Sequence, residues 1–396
     1  MSPTTNVQRI WPALLAGIFA TLVGIGLARF AYTPLIPVLI ESGWFDASDA
    51  VYLGAANLLG YLIGALAAHR LTERFAPRLI VGLSLSIVTL GFLLCSWPAG
   101  FYWFFVWRFL SGAAGAILMV VVPSMVLSRT AIAHRSVVGT LAFSGIGIGV
   151  VLSAFVVPAL LSLDLTFTWL VLGLLSGVCA LACDQGIKRM PKPELNAASA
   201  FSNGSVTKSI STIVVLVMLA YGLDAAGFIP HTVFWVDYLA RENGFGQAAA
   251  SLQWGIFGLG ALCGPFVVSL FVARLGWANS LTLAFALKTM AILLPVLSLA
   301  LVSQAVSSFL VGAFGPGMAA LTSGRLAQIV GPSGHKQAWG QATAIFAITQ
   351  TVSGYMMSAA YDVLDTYTPL YVVGSALLLL GTLLVYASAS LQSRAR

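Results

Sequence analysis

The chain has 396 residues, 59% of them hydrophobic and only 8% charged, with a mean hydropathy of +0.96 and a formal net charge of +7. Soluble domains carry about 25% charged residues, so a chain this poor in charge cannot cover a globular surface in water. The composition excludes soluble enzymes, nucleic-acid binders and disordered chains, and the basic excess needs another explanation.

A helix that crosses a bilayer needs about 20 mostly apolar residues. Twelve such stretches follow one another: 11–38, 50–68, 79–97, 101–127, 137–161, 166–183, 211–235, 247–270, 278–301, 304–324, 338–360 and 369–390. The first is too long for a cleavable leader and contains Arg29, Pro34 and Pro37. With both termini on the cytoplasmic side, 15 of the 19 Lys and Arg residues fall in inside segments; Arg241 is outside, and Arg29, Arg108 and Lys288 lie in spans. The acids show the reverse bias. The net charge is therefore a topology signal, predicting a multi-pass protein of a bacterial-type inner membrane with cytoplasmic termini. Cys95, Cys179, Cys183 and Cys263 lie in or beside spans with no metal-binding spacing, and read as small apolar packing residues.

The long polar stretch DQGIKRMPKPELNAASAFSNGSVTKS, residues 184–209, has no apolar periodicity and reads as a cytoplasmic linker. It divides the chain into an N-terminal six-helix bundle (1–185), a linker (186–209) and a C-terminal six-helix bundle (210–396). The halves repeat one another. Gly60 and Gly64 recur as Gly260 and Gly264, ERFAPR (73–78) answers to ARLGWA (273–278), and Gly112 and Gly115 recur as Gly312 and Gly315. GLARFAYTP (26–34) matches GLDAAGFIP (222–230). Small residues four apart mostly let helices approach closely. Their repetition in one order at a nearly constant offset predicts a duplicated unit.

Twelve spans in a 6+6 plan with duplicated loop motifs resemble the major facilitator superfamily. ERFAPR is a degenerate form of its loop pattern Gly-x-x-x-Asp-Arg-x-Gly-Arg-Arg, and RFLSGAAG (108–115) is similar to its fourth-span Arg followed by small residues. GIGIGVVLS (145–153) lacks the Pro of the superfamily's antiporter signature. The segment GIGLARFAYTPLIP (24–37) resembles the YbfB/YjiJ branch. The resemblance implies an all-α polytopic fold of two pseudo-symmetric six-helix bundles, alternating access, and a solute site near the midplane between the halves. It also implies a gating loop at Glu73, Arg74, Arg78 and Arg274.

An intramembrane charge costs at least about 2.5–3.5 kcal/mol, which makes each one a functional candidate. Arg29 and Asp224 fall one residue apart on the internal alignment. Arg keeps its proton at any accessible pH, while a carboxylate can gain and lose one, so the two suit proton coupling; the same residues also suit a static pair. His231, two turns beyond Asp224, reads either as a proton relay or as a residue near the outer surface bonded to water or loop backbone. For Arg108 the resemblance implies a role in the proton or solute path; a bond to carbonyls of span one or five is the alternative. The resemblance places span nine at the periphery, so Lys288 is expected to face lipid with its stem snorkelling, the alternative being a role in the cavity. Tyr32, Asn57, Ser144, Phe228, Gln253, Trp254, Thr349 and Gln350 are the candidate lining of a small-solute pocket, or interhelical hydrogen-bonding and packing residues.

There is no Walker A, zinc-protease or nucleophile-elbow motif, so neither ATP hydrolysis by this chain nor enzymatic chemistry is expected. The expectation is a secondary transporter of a small organic solute driven by protons, without metal or cofactor, monomeric in the lipid bilayer and without nucleic-acid partners. Two candidate Arg residues against one Asp point to an organic anion. The alternatives are a multidrug exporter of lipophilic cations by proton antiport and a non-transporting solute sensor.

Overall fold

The computed structural model describes residues 4–131, 134–161, 163–191 and 212–394. Most of these residues are helical, with no strand among them. The chain divides into two compact units, Met1–Ser202 and Asn203–Arg396. The linker read at 186–209 falls mostly outside the described residues, but its first residues remain helical through Arg189.

The N-terminal unit begins with α1 (Thr4–Thr21), a π-helical turn over Leu22–Leu27, a 3-10 segment over Phe30–Leu35 and α2 (Ile36–Glu41). It continues with α3 (Ala47–Arg74), α4 (Pro77–Leu94), α5 (Phe101–Ser128), α6 (Arg135–Ala142), α7 (Ser144–Leu161) and α8 (Leu165–Arg189). Local chemistry sets several boundaries. Asp46 caps α3 through the Asp49 amide at 2.7 Å, Asp164 caps α8 through the Phe167 amide at 3.1 Å, and Pro77 opens α4.

In the C-terminal unit α9 (Thr212–Gly227) gives way to a π turn at Pro230–Phe234, the short α10 (Trp235–Asp237) and a second π turn at Tyr238–Glu242. Then come α11 (Gly246–Leu297), α12 (Leu301–Leu364) and α13 (Thr368–Arg394). At about 1.5 Å per residue, the 52 residues of α11 and 64 of α12 far exceed a 30 Å hydrocarbon core. Each is interrupted by a glycine in the left-handed region, Gly276 (φ 72°) and Gly331 (φ 73°), a backbone conformation that L side chains rarely adopt.

Ten runs among the described residues are long and apolar enough to cross a membrane, against twelve read from the sequence. Two expected spans, 247–270 and 278–301, fall in the single run Gly246–Leu297. Residues 338–360 are helical but outside the ten, since Gln341, Gln350 and a series of Ser and Thr residues dilute their apolar content.

The glycine repeat acts identically in each unit. Gly60 and Gly64 of α3 lie against the backbone at Phe109 and Ala113 of α5; Gly260 and Gly264 of α11 lie against Phe309 and Ala313 of α12. Gly112 meets the Asn57 backbone, and Gly312 meets that of Phe257, 200 residues on. A Cβ at any of these sites would overlap a facing main chain. Gly145 and Gly149 of α7 likewise admit Thr21, Leu22 and Gly26, which makes that cluster a helix-packing device.

Polarity is distributed oppositely to that of a water-soluble protein. Leu83, Phe155, Leu174, Phe266, Leu297 and Leu383 are each more than half exposed, while Arg108, Asp224, His231, Asp237, Lys288 and Arg325 are buried. Asp237 and Arg325, read from the sequence as loop residues, are thus interior. Asp237 bonds Arg241 at 2.5 and 2.6 Å and accepts from the Tyr367 hydroxyl at 2.5 Å, and Arg325 donates to Gln328 at 2.8 Å.

Candidate functional site

Each unit gathers its polar interior around a break in its first helix. In the N-terminal unit the α-helical ladder fails between Leu22 and Leu35, where Gly24 and Gly26 sit among π and 3-10 turns. Irregular backbone in an apolar interior leaves carbonyls that side chains must satisfy. Ala28 is such a group. Its oxygen accepts Nη1 of Arg108 at 2.7 Å and Nδ2 of Asn57 at 3.4 Å, and the same Asn57 nitrogen bonds the Arg108 carbonyl at 3.2 Å. Arg108 therefore bonds a carbonyl of span one, as one of its two sequence readings had it. Its guanidinium carbon lies 4.1 Å above the Tyr32 ring, and the Tyr32 hydroxyl donates to the Ala50 carbonyl at 2.9 Å.

Arg29 is half-buried at the break, with φ −99° and ψ −55°, within electrostatic range of Tyr61 and Arg108 and 5.2 Å from the Phe30 ring centre. Arg29, Tyr32, Asn57 and Arg108 thus form one cluster. Ser144 is apart from it, donating to the Leu141 carbonyl of the preceding helix α6 at 2.7 Å.

In the C-terminal unit Asp224 lies three residues before the end of α9 and is 1% exposed. Its ion-pair partner is Lys288 of α11, with Nζ to Oδ1 at 2.6 Å and the lysine wholly buried. This corrects the expectation that Lys288 faces lipid. Phe285, Lys288, Ile292 and Pro295 form one buried stripe of α11, while Met290 and Leu297 lie on its exposed side. The sequence reading offered Arg29 as the partner of Asp224; the pair observed is internal to the C-terminal unit. Beneath it the Phe228 ring sits 4.1 Å from the ammonium.

His231 is also fully buried, and its partner is a side chain of α12 rather than loop backbone. Its Nε2 is 2.8 Å from the Ser307 hydroxyl, which donates to the Ala291 carbonyl at 2.6 Å. Because that hydroxyl spends its one proton on Ala291, the histidine donates from Nε2 and keeps a lone pair on Nδ1. The ring stacks on Trp235 at 4.2 Å. Ser307 carried no signal in the sequence beyond its presence in a span.

The other predicted lining residues are dispersed. Gln253 reaches the Leu301 carbonyl at 3.4 Å, Trp254 stacks on Phe257 at 4.7 Å, Thr349 lies half-buried beside Gly222, and Gln350 is buried in α12. Of the predicted gating residues, Arg74 and Arg274 are exposed and Glu73 meets His69 at 3.4 Å. Arg78 pairs with Asp184 at 2.8 Å, and Asp184 with Lys188 at 2.7 Å. No group of three or more metal-ligating side chains occurs among the described residues.

Comparison with known proteins places this geometry in context. A family model described as "Uncharacterised MFS-type transporter YbfB" matches residues 21–386. "Multidrug resistance protein 2" of Bacillus subtilis (strain 168) is 30% identical over 137 residues, 34% of this chain and 33% of that protein, so the match spans about a third of the relative's length. Two solved structures share the fold with TM-scores of 0.72. One is a D-xylose–proton symporter, 15% identical, covering 96% of this chain and 97% of that one; the other is a mutant form of the nucleoside transporter NupG, 12% identical, covering 96% and 99%.

Proposed function

The chain belongs to the YbfB-type family of major facilitator superfamily transporters, a multi-pass membrane protein, and from that premise we propose that it is a proton-coupled secondary transporter of a small organic anion. The observation that carries the proposal is the buried Asp224–Lys288 pair. Breaking a buried pair strands the remaining charge at a cost of several kcal/mol. When Asp224 takes up a proton, the Lys288 ammonium loses its counter-charge, and an anionic solute restores neutrality. Proton and anion are then bound together and released together, which is the stoichiometric logic of symport. Arg29 supplies a cation that does not titrate. His231, with its Nδ1 lone pair, is the second candidate along the proton path.

In this reading the chain makes twelve crossings, with two in α11 and two in α12, and works as a monomer in a bacterial-type inner membrane with both termini cytoplasmic. The distribution of Lys and Arg supports that orientation.

Asp224→Asn, which fixes the neutral form, tests the coupling in proteoliposomes. The variant is expected to lose accumulation against a gradient while keeping exchange of solute at equal concentrations. Loss of both activities, or of neither, would remove Asp224 from the coupling step. Export of lipophilic cations is the second reading, favoured by the Bacillus multidrug resistance relative; there Asp224 would be the binding charge.

A further inference from the structure

A small cavity in the N-terminal unit is separate from the Asp224–Lys288 pair. It has a volume of about 10 Å³, room for one water-sized guest, and is lined by Ala28 at the helix break, Cys95 at the end of α4, Arg108 and Ser111 of α5, and Trp169 of α8. Gly91 keeps it open, since a Cβ there would come within 2.6 Å of the Ser111 hydroxyl oxygen.

The lining is mostly apolar, and its unpartnered polar groups are donors. Arg108 is 4% exposed and Trp169 1% exposed, and both Nε of Arg108 and Nε1 of Trp169 are buried with no hydrogen-bond partner. Ser111 adds a hydroxyl and Cys95 a thiol. The one carbonyl that Arg108 engages, that of Ala28, already accepts two donors. No carboxylate lies within ion-pair distance of Arg108 among the described residues. A buried guanidinium without a counter-charge, beside an unpartnered indole N–H, is costly unless something negative completes it. A water molecule must donate two hydrogens, and this lining offers few acceptors. A monovalent anion accepts from every side.

We propose that this cavity binds a single halide ion, chloride under physiological conditions, held by Nε of Arg108 and Nε1 of Trp169 with Ser111 completing its shell. The ion neutralises Arg108 and locks α4, α5 and α8 to the broken first helix. It is a fixed structural ligand rather than the transported solute.

The test uses the full-length protein purified in detergent. Melting is followed while sodium chloride replaces sodium gluconate at constant ionic strength. Chloride is expected to raise the melting temperature saturably. Trp169→Phe, which removes the indole donor, is expected to raise the half-saturating chloride concentration about tenfold, the effect of one charge-assisted hydrogen bond. Arg274→Gln, which removes an exposed arginine of the other unit, should leave that concentration unchanged. Equal melting in the two salts, an unshifted midpoint in Trp169→Phe, or a midpoint that moves in Arg274→Gln would each overturn the site. Should Trp169→Phe fail to fold, wild-type crystals grown in bromide decide: an anomalous peak beside Arg108 and Trp169 supports the assignment, and its absence refutes it.

Discussion

A carboxylate and an ammonium 2.6 Å apart, both shut away from solvent, are a larger commitment than any surface ion pair. Desolvating both charges costs several kcal/mol each, and only their mutual attraction and close geometry return it. Lys288→Met is therefore expected to destabilise the protein by about 3–5 kcal/mol, because it strands Asp224. Combining it with Asp224→Leu should recover most of that loss, and a thermal double-mutant cycle reads the difference. Additive losses would mean that the two charges are not energetically coupled. Asp224 was legible in the sequence as an intramembrane acid, and its partner was not. Lys288 stood out as a charge in an apolar run, but its side depends on how α11 is rotated, and only the buried stripe with Phe285, Ile292 and Pro295 shows that. The burial of Asp237 was hidden for a related reason. It follows the last strongly apolar residues of its span and reads as loop, yet its carboxylate is enclosed by Arg241 and Tyr367.

Among elements, the first helix of each unit is the one that departs from regular geometry. The N-terminal break leaves the Ala28 carbonyl to Asn57 and Arg108, while in the C-terminal unit two π turns hold His231 and Tyr238. The outer end of that second break is fixed to the start of α13, since Glu242 accepts from the Thr366 hydroxyl at 2.7 Å and the Tyr367 amide at 2.6 Å. Gly and Pro residues in spans one and seven mark these regions in the sequence, but π and 3-10 turns have no residue signature of their own. The glycine contacts were far more legible, because a repeat at fixed offset encodes a repeated contact. Gly60→Val and Gly260→Val place a branched side chain against the same facing backbone, at Phe109 and Phe309, and each is expected to cost about 1–3 kcal/mol or more. Their melting shifts should be alike. A harmless substitution at either site would show that its helix pair can separate freely.

For the molecule as a whole, composition identified a bilayer as the solvent before any motif was considered. An exposed apolar exterior and an interior holding Arg108, Asp224, His231 and Lys288 realise that reading. The identity of the solute is the least legible property. It depends on where a few polar groups converge, and two residues chosen as lining bond neighbouring helices: Ser144 bonds Leu141 of α6, and Gln253 reaches the start of α12. Charge is the surviving guide. Arg29 and Lys288, with Asp224 as the group that switches, favour an anion carried with a proton. Melting of the purified protein across a panel of small organic anions, lipophilic cations and neutral solutes tests this most directly, because a ligand that binds the folded state raises the transition temperature. Stabilisation by organic anions in the wild type, lost in Arg29→Gln, is the predicted result. Stabilisation by lipophilic cations alone, or by anions equally in Arg29→Gln, would contradict it.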